Sequence, residues 1–377
     1  DPENAPLTIC GNCHVGQQSA WELTAHAHAW QTLQASGHAS AACEGCHTVN
    51  QLGNPLDSGP AGFLAVRDPR YRDVQCESCH GPGLNHVQNP DATQPLAPIT
   101  VGTNLTEGCG ECHQGSHHPF VEEWEQSRHG RVLASPAGRA ECQGCHTAQA
   151  ALLALGVRDE YLEKGSTQPL PIVCAVCHDP HSNEFDGQLR YPIDQPNEEE
   201  NLCMRCHHKR GGPEPTSTRG PHSPEGPLLL GEAGWWPPNM PIEPGTEIVG
   251  THGSQANPRL CAGCHVQAFQ VTDRLTGQFL VASVGHLFQA IPCLDPQGVP
   301  TTDDTCALTE RSFRSCVQSG CHGSEAAARS AYTVAQNRIL TLANRLNAML
   351  AQVPASEFSD TDGRYTTAEG TRFNYEL

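Results

Sequence analysis

The chain has 377 residues, with 22 Lys and Arg against 41 Asp and Glu and a net charge of −19. So acidic a protein disfavours nucleic acid and anionic lipid as partners, and no run of residues approaches the roughly eighteen apolar positions that a membrane-spanning helix requires. Leu, Ile, Val and Phe supply only about 18% of the residues, a composition that taken alone would read as disordered, so an ordered fold must draw apolar surface from something besides side chains.

The cysteines name the source. Cys10, Cys13 and His14 spell C-x-x-C-H, and the spelling returns at Cys43/Cys46/His47, Cys76/Cys79/His80, Cys109/Cys112/His113, Cys142/Cys145/His146, Cys174/Cys177/His178, Cys203/Cys206/His207 and Cys261/Cys264/His265. A wider C-x4-C-H variant, Cys316/Cys321/His322, makes a ninth. Thiols at i and i+3 can add to the two vinyl groups of one haem, and the next residue then offers its imidazole to the iron. Zinc knuckles or dithiols would not need that histidine. With 21 His in 377 residues, chance placement after all eight regular pairs has a probability on the order of 10⁻¹⁰ for the motif as spelled. The expected cofactor is therefore haem c, nine in number, eight on C-x-x-C-H and one on C-x4-C-H, with the porphyrins forming the core. The remaining Cys293 and Cys306, neither followed by His, are expected to pair as a disulfide in an oxidising compartment.

In chain order, the first three motifs and the next three read as a duplication. Trp21-Glu22-x-Thr24-x-His26 after the first motif matches Trp124-Glu125-x-Ser127-x-His129 after the fourth. Cys76-x-x-Cys-His80-Gly-Pro82 with His86 beyond it matches Cys174-x-x-Cys-His178-Asp-Pro180 with His181. Modules are expected at 1–98 (haems 1–3), 99–196 (haems 4–6) and 197–353 (haems 7–9), with a polar tail at 354–377. Each Trp-Glu-x-Ser/Thr-x-His element is expected on a short helix with its hydroxyl available for capping. Asp186 to Glu200 reads as a solvated acidic loop. The Pro- and Gly-rich passage after His208 reads as a loop pinned by His222 and His252, with Trp235, Trp236, Pro237 and Pro238 covering a haem edge. Phe269, Val271, Phe279 and Val281 alternate about a turn and predict a small β-hairpin near 268–283 that delivers His286. Ser324 should cap a C-terminal helix running to about Gln352, whose stripe of Tyr332, Ile339, Leu342, Leu346, Leu350 and Val353 should face a core. The fold class expected is thus mostly irregular with short α-helices, one small hairpin and a C-terminal helix.

Nine proximal histidines leave twelve others. Matched positions favour His26, His129, His86 and His181 as distal iron ligands. His38, His117, His118, His222, His252 and His286 complete the candidates, while His28 and His208 are set aside. Methionine ligation is nearly excluded, since Met204 lies inside a motif and only Met240 and Met349 remain. Bis-histidine haems lack the potential-raising Met ligand. A chain this long has a radius of gyration of about 21 Å, and nine haems within it would sit about 20 Å apart centre to centre on the same scaling, so electrons can pass between them.

The nine motifs, the Trp-Glu-x-Ser/Thr-x-His elements and the Cys-His-Gly-Pro tract with its trailing histidine resemble multihaem cytochromes c of the respiratory and extracellular electron-transfer type. Similar spelling occurs in tetrahaem cytochromes of ammonia oxidisers and in octahaem relatives of hydroxylamine oxidoreductase. The resemblance implies bis-histidine haems in stacked and T-shaped pairs, thioether attachment outside the cytoplasmic membrane and hence a periplasmic or extracellular location, redox proteins or extracellular acceptors as partners, and in some such proteins a homopolymer that forms a conductive filament. A start at Asp1 fits a processed form. The reading is an electron carrier with no catalytic residue. The alternative is an oxidoreductase acting on hydroxylamine, nitrite or tetrathionate at one five-coordinate haem. Lysine ligation there has only Lys164 and Lys209 to draw on, and a cross-linked tyrosine could be Tyr71, Tyr161 or Tyr191.

Overall fold

The computed structural model describes residues 10–53, 60–101, 108–157, 168–212, 221–234, 236, 250–273, 275–318 and 320–353. Among the residues singled out above, Tyr161, Lys164, Trp235, Pro237, Pro238, Met240 and the 354–377 tail lie outside that set. Two compact units emerge. The first is Asp1–Tyr191 with Ala268–Leu287, and the second is Pro192–Gln267 with Phe288–Leu377.

Most elements of both units are single turns, because most of the chain is spent wrapping the motifs. The described strands form two pairs. β1 (Phe269–Thr272) runs antiparallel to β2 (Phe279–Ser283), with Val271 opposite Val281 and a register shift at Thr272. β3 (Cys293–Leu294) pairs with β4 (Pro300–Thr301), and the turn beyond is closed by the Cys293–Cys306 disulfide, with Cα atoms 6.0 Å apart. The hairpin predicted at 268–283 is present, and it packs with the first unit although the second unit's motifs lie on both sides of it in sequence.

Side-chain cores are small. Among the described residues Val121, Trp124, Ala148, Ala151, Leu152, Val173 and Val176 cluster in the first unit, and Met204, Leu230 and Leu260 in the second. Such clusters cannot organise chains of this length by themselves, in keeping with the low aliphatic content.

Two local expectations need correction. The Trp-Glu elements are helical only in part. Helices Val15–Trp21 and Phe120–Gln126 end near the tryptophan, and the histidines lie beyond, because Thr24 Oγ1 and Ser127 Oγ each donate to the tryptophan carbonyl (2.7 Å in both) and close the helix end. The C-terminal helix, Glu325–Leu350, starts as expected with Ser324 Oγ accepting from the Ala327 N–H. Beyond Tyr332, whose ring meets that of Phe313 at 5.9 Å, the described residues do not cover its stripe: Ile339 is 65% exposed and Leu342 51% exposed. Helical periodicity reports an apolar face, and says nothing of whether the chain supplies a cover for it. No described helix is long and apolar enough to cross a membrane.

Candidate haem-binding sites

Five of the regular motifs close on themselves through the same backbone bond. The His14 N–H donates to the Cys10 carbonyl (2.8 Å), and the same bond recurs from His113 to Cys109 (3.0 Å), His178 to Cys174 (2.9 Å), His207 to Cys203 (2.9 Å) and His265 to Cys261 (2.9 Å). One helical turn sets residues i and i+3 on one face, so both thiols of a motif point the same way and the histidine follows at the turn's end. Within the seventh motif the Cys206 N–H also donates to the Cys203 carbonyl at 3.2 Å, as the Cys46 N–H does to Cys43 in the second at 3.3 Å.

The fifth motif departs from the single turn. Cys142, Cys145 and His146 ride on a two-turn helix, Ala140–His146, and all three side chains are half-buried. Its extra turn comes from Ala140 and Glu141, and the helix stops after His146 because Thr147 is extended (φ −137°, ψ 142°). The wide motif reaches the usual closure by another route: the His322 N–H donates to the Cys316 carbonyl at 3.3 Å. Within its wider spacer Gly320 takes φ +79°, a left-handed conformation that glycine adopts without cost. The chemistry of one donor set, two thiols and an adjacent imidazole, is therefore repeated at the ninth position.

The imidazoles are oriented by carbonyls. Nδ1–H of His47, His80, His178 and His265 donates to the backbone oxygens of Ala29 (2.9 Å), Pro95 (2.6 Å), Gly187 (2.7 Å) and Phe288 (2.8 Å). His86 does the same to Thr93 (2.6 Å) and His286 to Val284 (3.2 Å). A proton fixed on Nδ1 leaves the Nε2 lone pair as the ligand atom. At five histidines burial disfavours the charged form and so favours the neutral ring that binds metal. It lowers His26, His178 and His181 and brings His113 and His286 to about 4.

Motif histidines are brought face to face with histidines from elsewhere. His14 faces His86 with ring centres 6.1 Å apart, His80 faces His181 at 6.1 Å, His113 faces His26 at 6.0 Å, His178 faces His286 at 6.3 Å and His322 faces His252 at 6.5 Å. Two imidazoles bonded to opposite sides of one metal at about 2 Å each hold their ring centres roughly 6 Å apart, so all five spacings fit an iron between the rings. All five partners come from a different motif's surroundings, which spacing along the chain could not reveal.

The other candidates fare differently. His118 lies within electrostatic reach of His47, whose charge lowers it along with burial. The ring of His117 stacks on Phe279 at 4.7 Å. His38 is exposed, and its backbone N–H meets Ser36 Oγ. The His129 carbonyl accepts from the Ile172 N–H, and the His222 backbone pairs with Arg210. His208 bridges two carboxylates, Glu198 at 2.7 Å and Glu232 at 2.9 Å.

Cysteines of different motifs also meet. The Cys10 thiol lies beside that of Cys76, Cys46 beside Cys112 and Cys109 beside Cys174, and Cys79 lies within electrostatic reach of Cys109. In the second unit the Cys203 thiol lies beside that of Cys261, and Cys264 lies within electrostatic reach of Cys316 and Cys321. Buried groups that sequence reasoning missed are Glu123, which receives the N–H groups of Val284 (3.0 Å) and His286 (2.7 Å), and Arg190, which spans Asp179 (3.1 Å) and the Ala175 carbonyl (2.7 Å) beside the sixth motif. No local pattern marks either.

Comparison with known proteins agrees with the motif chemistry. Residues 9–81 match the family described as cytochrome c554 and c-prime, and residues 171–212 match the doubled C-x-x-C-H motif. The chain is a multihaem c-type cytochrome. Over 195 residues this cytochrome is 29% identical to the multiheme cytochrome MtrA of Shewanella baltica, covering 45% of the chain and 53% of that protein. Over 135 residues it is 31% identical to cytochrome c-554 of Nitrosomonas europaea, covering 28% of the chain and 54% of that protein. These matches span about half the length of each relative. In fold, the cytochrome is similar to the outer cell wall cytochrome OcwA, with a TM-score of 0.53 at 17% identity, over 91% of this chain and 89% of that one.

Proposed function

We propose that the protein is an electron conduit of nine haems c, held through the cysteines of the eight regular motifs and the wide one, with iron saturated by histidine pairs wherever a motif histidine faces a second imidazole. The observation that carries this reading is the set of five facing pairs at 6.0 to 6.5 Å. Haem c supplies one-electron redox chemistry. The chain's own residues would anchor each group by two thioethers and, where a carbonyl fixes Nδ1–H, leave Nε2 free to meet the iron. At the fifth and seventh motifs the assignment of Cys145 and His146, and of Cys206 and His207, rests on the spelling and on the helical turn that carries each set. An iron with two imidazoles has no position for a substrate, so the paired sites relay electrons and do not transform small molecules.

Contacts between cysteines of different motifs support the relay. Thioether bonds join each cysteine to the edge of its macrocycle, so touching cysteines bring two edges together. By that criterion the fourth motif adjoins the second, third and sixth, and the eighth adjoins the seventh and ninth. Sequence similarity to MtrA of Shewanella baltica and cytochrome c-554 of Nitrosomonas europaea favours electron transfer over structural roles. Thioether attachment outside the cytoplasmic membrane favours an exported location, with redox proteins or extracellular acceptors as partners and a homopolymer as one form of use.

Protein-film voltammetry with intact mass measurement tests the reading. Nine haem masses on the chain and a broad reversible envelope at low potential, unchanged by hydroxylamine, nitrite or tetrathionate, are expected. A catalytic wave with any of the three would favour the oxidoreductase alternative.

A further inference from the structure

The hairpin β1–β2 is far from the sixth motif in sequence, yet it sets His286 opposite His178 with ring centres 6.3 Å apart. Its attachment is specific. The Ala282 N–H donates to the Ser116 carbonyl at 2.9 Å, and Phe279 lies flat on His117, the rings 9° from parallel. The segment that follows β2 then wraps one carboxylate. Glu123 is 7% exposed. Its Oε1 accepts the Val284 N–H at 3.0 Å and its Oε2 accepts the His286 N–H at 2.7 Å, with the Ser283 hydroxyl and the Leu287 N–H as further donors. A carboxylate offers about four acceptor sites, and here donors from 283, 284, 286 and 287 converge on them as successive donors converge on an anion in a backbone nest.

We propose that Glu123 is the positioning residue for His286, fixing the backbone on which that histidine is presented to the iron of the Cys174/Cys177/His178 site. The inference rests on the reading of His178 and His286 as an axial pair. The duplicated sequence supports it independently. Glu123 immediately precedes Trp124, and the matching position before Trp21 is Ala20. The four defining positions of the matched element keep their chemical type, with Trp, Glu, a hydroxyl and His in both copies. Only the copy that receives the hairpin carries an acid at the preceding position, and the acid is spent on the hairpin.

The test uses the haem-loaded full chain and four variants: Glu123→Ala, Glu123→Gln, His286→Ala and the Glu123→Ala/His286→Ala double. Low-temperature EPR of the oxidised protein, normalised to total haem, counts low-spin centres. His286→Ala is expected to lose one low-spin haem equivalent, Glu123→Ala to lose up to the same one, and the double variant to lose no more than His286→Ala alone. Added imidazole should restore the low-spin count in each. Glu123→Gln keeps the shape with a single acceptor oxygen and should fall between wild type and Glu123→Ala, so it carries the test if the alanine variant does not load haem. A full low-spin count in the Glu123 variants, with one equivalent lost in His286→Ala, overturns the role of Glu123. A full count in His286→Ala itself overturns the axial pair, and the proposal with it, and that variant tells the two failures apart.

Discussion

The tracts 10–98 and 108–191, both within the first unit, use the same local construction for different long-range ends. In one, Trp21 Nε1–H donates to the Val74 carbonyl (3.0 Å) and the Val74 N–H donates to the His26 carbonyl (3.1 Å). In the other, Trp124 Nε1–H donates to the Ile172 carbonyl (2.7 Å) and the Ile172 N–H donates to the His129 carbonyl (3.0 Å). The acceptor in each case lies two residues before the third motif of its tract. Yet His86 faces His14 within its own tract, whereas His181 faces His80 of the other, and His26 crosses to His113. A shared sequence motif thus fixes the local hydrogen bonds, while the destination of each free histidine is set by packing between the tracts.

Breaking a crossing histidine should have the largest effect. His181→Ala is expected to open the site of the third motif, at His80, and to leave that of the sixth, at His178, closed. This is checked by locating the new ligand-binding haem with resonance Raman of the CO adduct in His181→Ala and in the His181→Ala/His80→Ala double. If His181→Ala instead mirrors His286→Ala, the tracts pair their histidines alike and the comparison fails.

The next effect is on stability. Trp124 is buried in the main cluster and Trp21 is half-buried, so Trp124→Ala should cost about 3–5 kcal/mol and Trp21→Ala clearly less, read from guanidinium midpoints of the haem-loaded protein. Equal losses would mean that the shared hydrogen bond, and not the unequal packing, dominates. In the second unit, Cys293→Ser/Cys306→Ser should cost about 2–4 kcal/mol without altering the first unit's spectra, as followed by the thermal midpoint and by EPR. The smallest expected effect is symmetrical. Thr24→Ala and Ser127→Ala each remove one hydroxyl bond to a tryptophan carbonyl and should each cost about 0.5–1.5 kcal/mol in the same denaturation measurement. A large difference between them would show that the two helix ends are not equivalent.

Much of the site was legible in the sequence. The motif spelling names both thiols and the adjacent imidazole because those groups are local, and the hairpin and the Ser324 cap follow from short-range patterns. The pairing of His26 with His113 or His286 with His178 was not legible, since each partner lies scores of residues away and nothing in a histidine's immediate neighbours encodes which one it will face. Glu123 escaped notice for the same reason: an acid in an acidic chain becomes informative only when four donors are seen to converge on it. The C-terminal helix illustrates the opposite error. Its period predicts an apolar stripe, yet beyond Tyr332, which meets Phe313, the described residues place no core over it.

The central claim, that facing histidines saturate the irons and leave relay sites, is tested most directly by low-temperature EPR of the oxidised wild-type protein, normalised to total haem. Low-spin ferric signals from every site with a facing pair, at least five haem equivalents, are predicted. Fewer than five low-spin equivalents, with the balance high-spin, would contradict the account and open the way to substrate chemistry at the iron.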